Sequence, residues 1–172
     1  MTTTDQLNAV NIDAVAGLAA KIQTEPAVAA TVWKASVTWD GGFRSSASVR
    51  QFPAVASDEP AALGGTDTAA NPVEQLLGAL GNCLAIGYAA NATAAGISIR
   101  KLSIDLEGDL DLHTFLGLNP DGHAGYQNIR VAVNLDSDAT ADQLATLHQR
   151  VVATSPVGHT LSRPVAVHIH LA

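Results

Sequence analysis

An α+β fold, with mainly antiparallel sheets and one long helix at its centre, is predicted by three features of this chain. Its alternating apolar segments come in pairs separated by turn signals, as hairpins do. Between the pairs stands Asn71–Gly96, NPVEQLLGALGNCLAIGYAANATAAG, whose only charged side chain is Glu74. With no polar face, a helix there cannot lie on a surface and must be wrapped by other elements. The order helix, β, β, long helix, β, β, helix, β also contains no internal repeat and no linker that would split the chain.

Taken in order, Ile12, Val15, Ala19 and Ile22 fall at helical spacing, so residues 5–24 read as a helix ended before Pro26. This helix is expected to be an arm packed on the main body, dividing the chain into an arm over 1–28 and a domain over 29–172. Trp33, Ala35, Val37 and Trp39 alternate with Lys34, Ser36 and Thr38, which marks a strand with one buried face. Asp40-Gly41-Gly42 turns the chain, and Phe43–Phe52 returns with Arg44, Ser46, Ser48 and Arg50 on one face. Residues 53–70, rich in Ala, Pro, Gly and Asp without a period, read as a loop.

The central helix has defined ends. Asn71 is a good N-cap, Pro72 suits the first helical position, Glu74 completes a capping-box-like start, and Gly96 is a C-terminal stop. About 24 residues of helix span roughly 36 Å. Gly78, Gly81 and Gly87 lower helix stability, so they mark places where another backbone comes close. Leu102, Ile104, Leu106, Leu110 and Leu112 then alternate in a strand. Arg100-Lys101 breaks the parity of Ile97 and Ile99, which signals a bulge or the true strand start. Residues 113–125 form a loop turning at Asn119-Pro120-Asp121-Gly122, and Ile129, Val131, Val133 and Leu135 form the next strand. Leu144, Leu147 and Val151 share one face of a helix over about 139–154, capped by Asp138 or by Thr140 with Gln143 in the reciprocal place. It stops at Ser155, because a residue before proline avoids helical geometry. Val165, Val167, Ile169 and Leu171 make a last strand.

Composition excludes several functions. The 172 residues are 47% hydrophobic and 15% charged, so the chain folds around a real core. A net charge of -7 with only 9 Lys+Arg excludes a nucleic-acid surface and binding to anionic membranes. A single cysteine allows no internal disulfide, and the N-terminus has no secretory signal pattern, so a cytoplasmic protein is expected. The apolar run is long enough to span a bilayer, but Asn82, Asn91, Thr93 and the lack of a basic N-terminal flank argue against a span.

No glycine pair has the strand–Gly–helix context of a phosphate cradle, and no cofactor is expected. His168 and His170 sit two apart on the last strand without a carboxylate or thiol close in sequence, so they read as a solvated face and no metal site is assigned. Ser155 and His159 lack a nucleophile elbow. Cys83 remains. A lone buried cysteine is ordinarily a small hydrophobe, whereas a reactive one needs access and a neighbouring cation. The residues alone leave both readings open.

Asn71-Pro72-x-Glu74-Gln75-Leu76-Leu77-Gly78-Ala79-Leu80-Gly81-Asn82-Cys83 resembles the signature helix of the OsmC/Ohr family, the osmotically inducible and organic-hydroperoxide-resistance proteins. The resemblance continues in the Asp40-Gly41-Gly42-Phe43-Arg44 hairpin and in Thr154-Ser155-Pro156-Val157-Gly158-His159-Thr160-Leu161, and covers roughly residues 29–171. It implies an intertwined homodimer with two central helices packed together. It implies attack of the Cys83 thiolate on an organic hydroperoxide, with Arg44 (less favourably Arg50) activating the sulfur, and Glu74 as the candidate for the glutamate that holds the arginine. Ser155 stands where the family has its second cysteine, and Val73 where it has its glutamate. The resolving thiol would therefore come from an external reductant, and Glu74 also reads as the cap of its own helix. The alternative on the same fold is a non-catalytic dimer that is structural or binds a hydrophobic small molecule.

Overall fold

The computed structural model describes residues 6–171. The chain divides into two compact units, one of Asp13–Leu76 and one of Leu77 onward together with the segment up to Ile12.

The Asp13–Leu76 unit holds all but the first residue of α1 (Ile12–Thr24) and carries a three-stranded antiparallel sheet in the order β1 (Ser36–Gly41), β2 (Arg44–Ser48), β3 (Val55–Ser57). The predicted hairpin is present. Ser36 pairs with Ser48 and Thr38 with Ser46, and the register shifts between Trp39 and Gly41 at the turn. Its strands are shorter than the alternation predicts, because Trp33 and Ala35 precede the paired segment and Arg50 takes a left-handed φ of 52°.

β3 lies in the stretch read as a loop. Three residues are too few to show a period, and pairing with β2 decides their conformation. The rest of that stretch is organised by Asp58, which is 1% exposed. Its Oδ2 accepts from Thr66 Oγ1 at 2.5 Å, Thr66 N at 3.1 Å, Thr68 Oγ1 at 2.8 Å and Thr68 N at 3.1 Å, while Oδ1 accepts from Glu59 N at 2.8 Å. The hydrogen bond from Thr66 leads the causes that hold this carboxyl well below the usual carboxylate range. A Cβ on Gly65 would sit 1.8 Å from the Glu59 carbonyl oxygen, so only glycine closes this loop.

The central helix α2 runs Pro72–Ala94. Its start is the predicted reciprocal cap: Glu74 N donates to Asn71 Oδ1 at 2.9 Å, and Asn71 N donates to Glu74 Oε2 at 2.9 Å. Gln75 Nε2 adds bonds to the Ala56 and Ala70 carbonyls at 2.9 and 2.8 Å.

In the second unit, β4 (Ile99–Leu110) and β5 (Tyr126–Ser137) form a long antiparallel pair with a register shift between Ile99 and Lys101, where the parity break predicted it. Glu107 faces Arg130 across the pair and accepts from its Nε at 2.6 Å. The connection is not all loop. A helical turn α3 (Leu112–Phe115) starts on Asp111, whose carboxylate accepts from His113 N at 3.0 Å. α4 (Ala141–Thr154) has the predicted Thr140–Gln143 capping box and ends at Ser155. A further helix α5 (Pro156–Ser162) follows, which the sequence reading did not include; Pro156 at its first position is what licenses it.

The core of this unit is built on Leu80, Leu84, Tyr88 and Ala92, one turn apart on α2, with Leu147 and Val151 of α4. The α2 glycines correct one expectation. A Cβ at Gly81 would meet Leu106 Cδ1 at 2.8 Å and one at Gly87 would meet Val151 Cγ1 at 3.1 Å, so side chains and not a backbone approach there, and Gly78 faces nothing within 4 Å among the described residues of its own chain. α2 is also buried on one face only, leaving Ile86 70% exposed.

Two further expectations are corrected. The N-terminal helix does not run over 5–24: it begins at Ile12, and Asp5 lies outside the described residues. Asn8 leaves helical geometry with φ 53° and reaches the far end of α2. Its Nδ2 donates to Thr93 Oγ1 at 3.0 Å and to Ile97 O at 2.9 Å, and its Oδ1 accepts from Ile99 N at 2.8 Å. Asparagine tolerates the left-handed region, and satisfying otherwise unpaired backbone groups outweighs continuing the helix. The second correction is that residues 164–171 form no strand among the described residues, although their alternation is clear. Alternation makes a strand only where an edge receives it.

Candidate thiol site

Cys83 projects from α2 between Leu80 and Leu84, half-buried and not in a disulfide. Its Sγ lies 3.3 Å from Ser155 Oγ, across 72 residues of chain. Ser155 is 5% exposed and occupies the joint between α4 and α5, ending one helix and capping the next. Its Oγ accepts from Gly158 N at 3.1 Å. That leaves the Ser155 hydroxyl hydrogen free to face the sulfur. Either the thiol or the hydroxyl can donate in this pair, and toward a thiolate only the hydroxyl can.

The other named residues sit as follows. Glu74 and Arg44 belong to the Asp13–Leu76 unit and Cys83 to the other. The Glu74 carboxylate is engaged in the α2 cap. Arg44 opens β2, is exposed, and its Nε donates to Gly41 O at 3.5 Å. Arg50 stacks on Phe52, with its guanidinium carbon 4.6 Å from the ring centroid.

Sequence reasoning missed a cavity of about 610 Å³ among α2, β5, α4 and α5. Leu80, Leu84 and Tyr88 line it from α2, Ile129, Val131 and Val133 from β5. Ser155 lines it too, so the group that touches Cys83 also touches the cavity. Tyr88, 2% exposed, hydrogen-bonds His148 Nδ1, and burial pushes its hydroxyl pKa up. Spacing of four on α2 and two on β5 were the available signals, but nothing in them says that the two apolar faces stand apart enough to leave a space. No group of three or more metal-ligating side chains exists among the described residues, and none of their helices is long and apolar enough to cross a membrane.

The model of the OsmC-like proteins matches residues 65–170, and the chain belongs to that family. No curated protein matches the sequence. Among solved structures, the chain is similar to an OsmC-like protein from Mycoplasma pneumoniae, with 20% identity and a TM-score of 0.67 over 77% of this chain and 88% of that one. It is similar to an organic hydroperoxide resistance protein OsmC from Legionella pneumophila, with 16% identity and a TM-score of 0.56 over 77% and 91% of the two chains. It is also similar to an organic hydroperoxide resistance protein from Elizabethkingia anophelis, with 15% identity and a TM-score of 0.55 over 75% and 88%. At these identities the likeness establishes the fold.

Proposed function

We propose that this protein reduces organic hydroperoxides through Cys83 and regains its thiol from an external dithiol. The single observation behind this reading is the contact of Cys83 Sγ with the Ser155 hydroxyl at 3.3 Å, which gives a half-buried sulfur a donor suited to its anion. Family membership and the hydroperoxide-resistance names of similar structures support the same reading.

The thiolate attacks the terminal peroxide oxygen. An S–O bond forms, the O–O bond breaks, and the departing alkoxide takes a proton and leaves as alcohol. The sulfur is oxidised to a sulfenic acid and the peroxide is reduced. Ser155 has no thiol, so the cycle closes elsewhere: one thiol of the reductant condenses with the sulfenic acid and releases water, and its second thiol displaces Cys83 as the reductant closes its own disulfide. Arg44 is the proposed cation for the thiolate, with Arg50 second, and Glu74 the proposed orienting carboxylate.

The working unit in this reading is a homodimer. Trp33 is 81% exposed, Trp39 73%, Ile86 70% and Ile169 92%, which is apolar surface that a second copy would cover.

Cumene hydroperoxide turnover with a dithiol tests the proposal. Steady turnover, lost in Cys83→Ser, and dimedone trapping of a sulfenic acid on Cys83 are expected. An untrapped, unoxidised cysteine after peroxide treatment would reject it. The binding alternative keeps one specific observation in its favour, the preformed cavity beside Ser155.

A further inference from the structure

The cavity among α2, β5, α4 and α5 has a lining that separates by chemistry. Its walls on α2 and β5 are aliphatic, apart from the buried Tyr88 ring. Its α5 side is polar: His159 and Arg163 fall one helical turn apart and face the same space as Ser155 and Ser162. The chain carries 16 Asp+Glu against 9 Lys+Arg, yet the lining contains Arg163, His148 and His159 and no carboxylate. No ion pair engages Arg163 or His159 among the described residues. His148 is already paired with the Tyr88 hydroxyl, which leaves recognition of a head group to the α5 side. A volume of about 610 Å³ falls inside the range of small-molecule sites, about 300–1,000 Å³.

We propose that this cavity is a binding site for a small amphipathic monoanion, a medium-chain carboxylate whose head meets Arg163 and His159 and whose tail lies along Leu80, Leu84, Ile129 and Val133. An acidic protein repels such anions in general, so a basic, carboxylate-free pocket with aliphatic walls is selective by charge and by shape together. The aliphatic walls alone would accept any apolar molecule; the guanidinium sets the preference for an anion. The occupant need not be a peroxide and does not react with Cys83, so the site stands apart from the thiol chemistry although Ser155 borders both.

Titration calorimetry of the full chain with sodium octanoate and with 1-octanol tests this. Octanoate binds the unmodified protein more tightly than octanol does. Arg163→Gln weakens octanoate by about tenfold, the scale of one charge-assisted contact, and leaves octanol unchanged. Val131→Trp, which fills the space, removes both. Cys83→Ser binds octanoate like the unmodified chain even where peroxide turnover is gone, so failure of one proposal is not failure of the other. Equal affinity for octanoate and octanol, octanoate binding unchanged in Arg163→Gln, binding that survives Val131→Trp, or no binding at all because a second copy fills the groove would each overturn the assignment.

Discussion

Asp58 and Cys83 are both polar groups drawn out of water, and they are treated in opposite ways. Asp58 is 1% exposed and accepts from Thr66, Thr68 and Glu59. Nothing about it is left to react: a charge so fully bonded fixes a loop. Cys83 is half-buried, and the contact given for its sulfur is the Ser155 hydroxyl, itself on the wall of a cavity. The difference teaches where to look for chemistry. Saturation marks a structural group, and a nucleophile with spare hydrogen-bonding capacity is where chemistry is worth testing.

The sharpest break of the comparison is Cys83→Ser. Peroxide turnover should fall to the solution background, a loss on the order of 10³-fold or more, while the melting temperature barely moves because serine keeps the contact to Ser155. Loss of turnover without loss of fold is the signature required.

Asp58→Ala should do the reverse. It strands the backbone donors of Thr66, Thr68 and Glu59, so the urea midpoint falls while Cys83 remains oxidisable. The pH dependence follows the same group. Its folded carboxyl titrates below the unfolded value of about 3.9, so its stabilisation is fully present above that value and is lost as pH falls through and below it. Urea melts between neutral pH and acid should show a loss of stability on acidification that is smaller in Asp58→Asn.

Ser155 links Cys83 to the architecture, and two variants separate its roles. Ser155→Ala should cost about 1 kcal/mol, the loss of an N-cap on α5, and lower turnover by about three- to tenfold, one hydrogen bond's worth. Ser155→Cys should close a disulfide with Cys83 on peroxide treatment, read as the disappearance of both free thiols. The smallest effect is expected from Glu74→Gln, which keeps an acceptor for Asn71 N. Turnover within about twofold of the parent fits a capping group. A large fall with an unchanged melting temperature would move Glu74 into the reactive set.

The chain's local rules were readable from residues alone. Asn71 with Glu74 and Thr140 with Gln143 are reciprocal caps in sequence and in space, because three residues along one turn always meet. The break at Arg100-Lys101, the Asp40-Gly41-Gly42 turn and the stop before Pro156 follow from backbone sterics that need no tertiary partner. Tertiary structure alone decided the rest. Asn8 abandons its helix for Ile97 and Ile99, Asp58 ties threonines eight and ten residues on, and Ser155 meets Cys83 across 72 residues. The alternation of 164–171 goes without a strand for the same reason. A hydrogen bond between distant residues depends on how whole elements pack, and periodicity within one element carries no information about its neighbour.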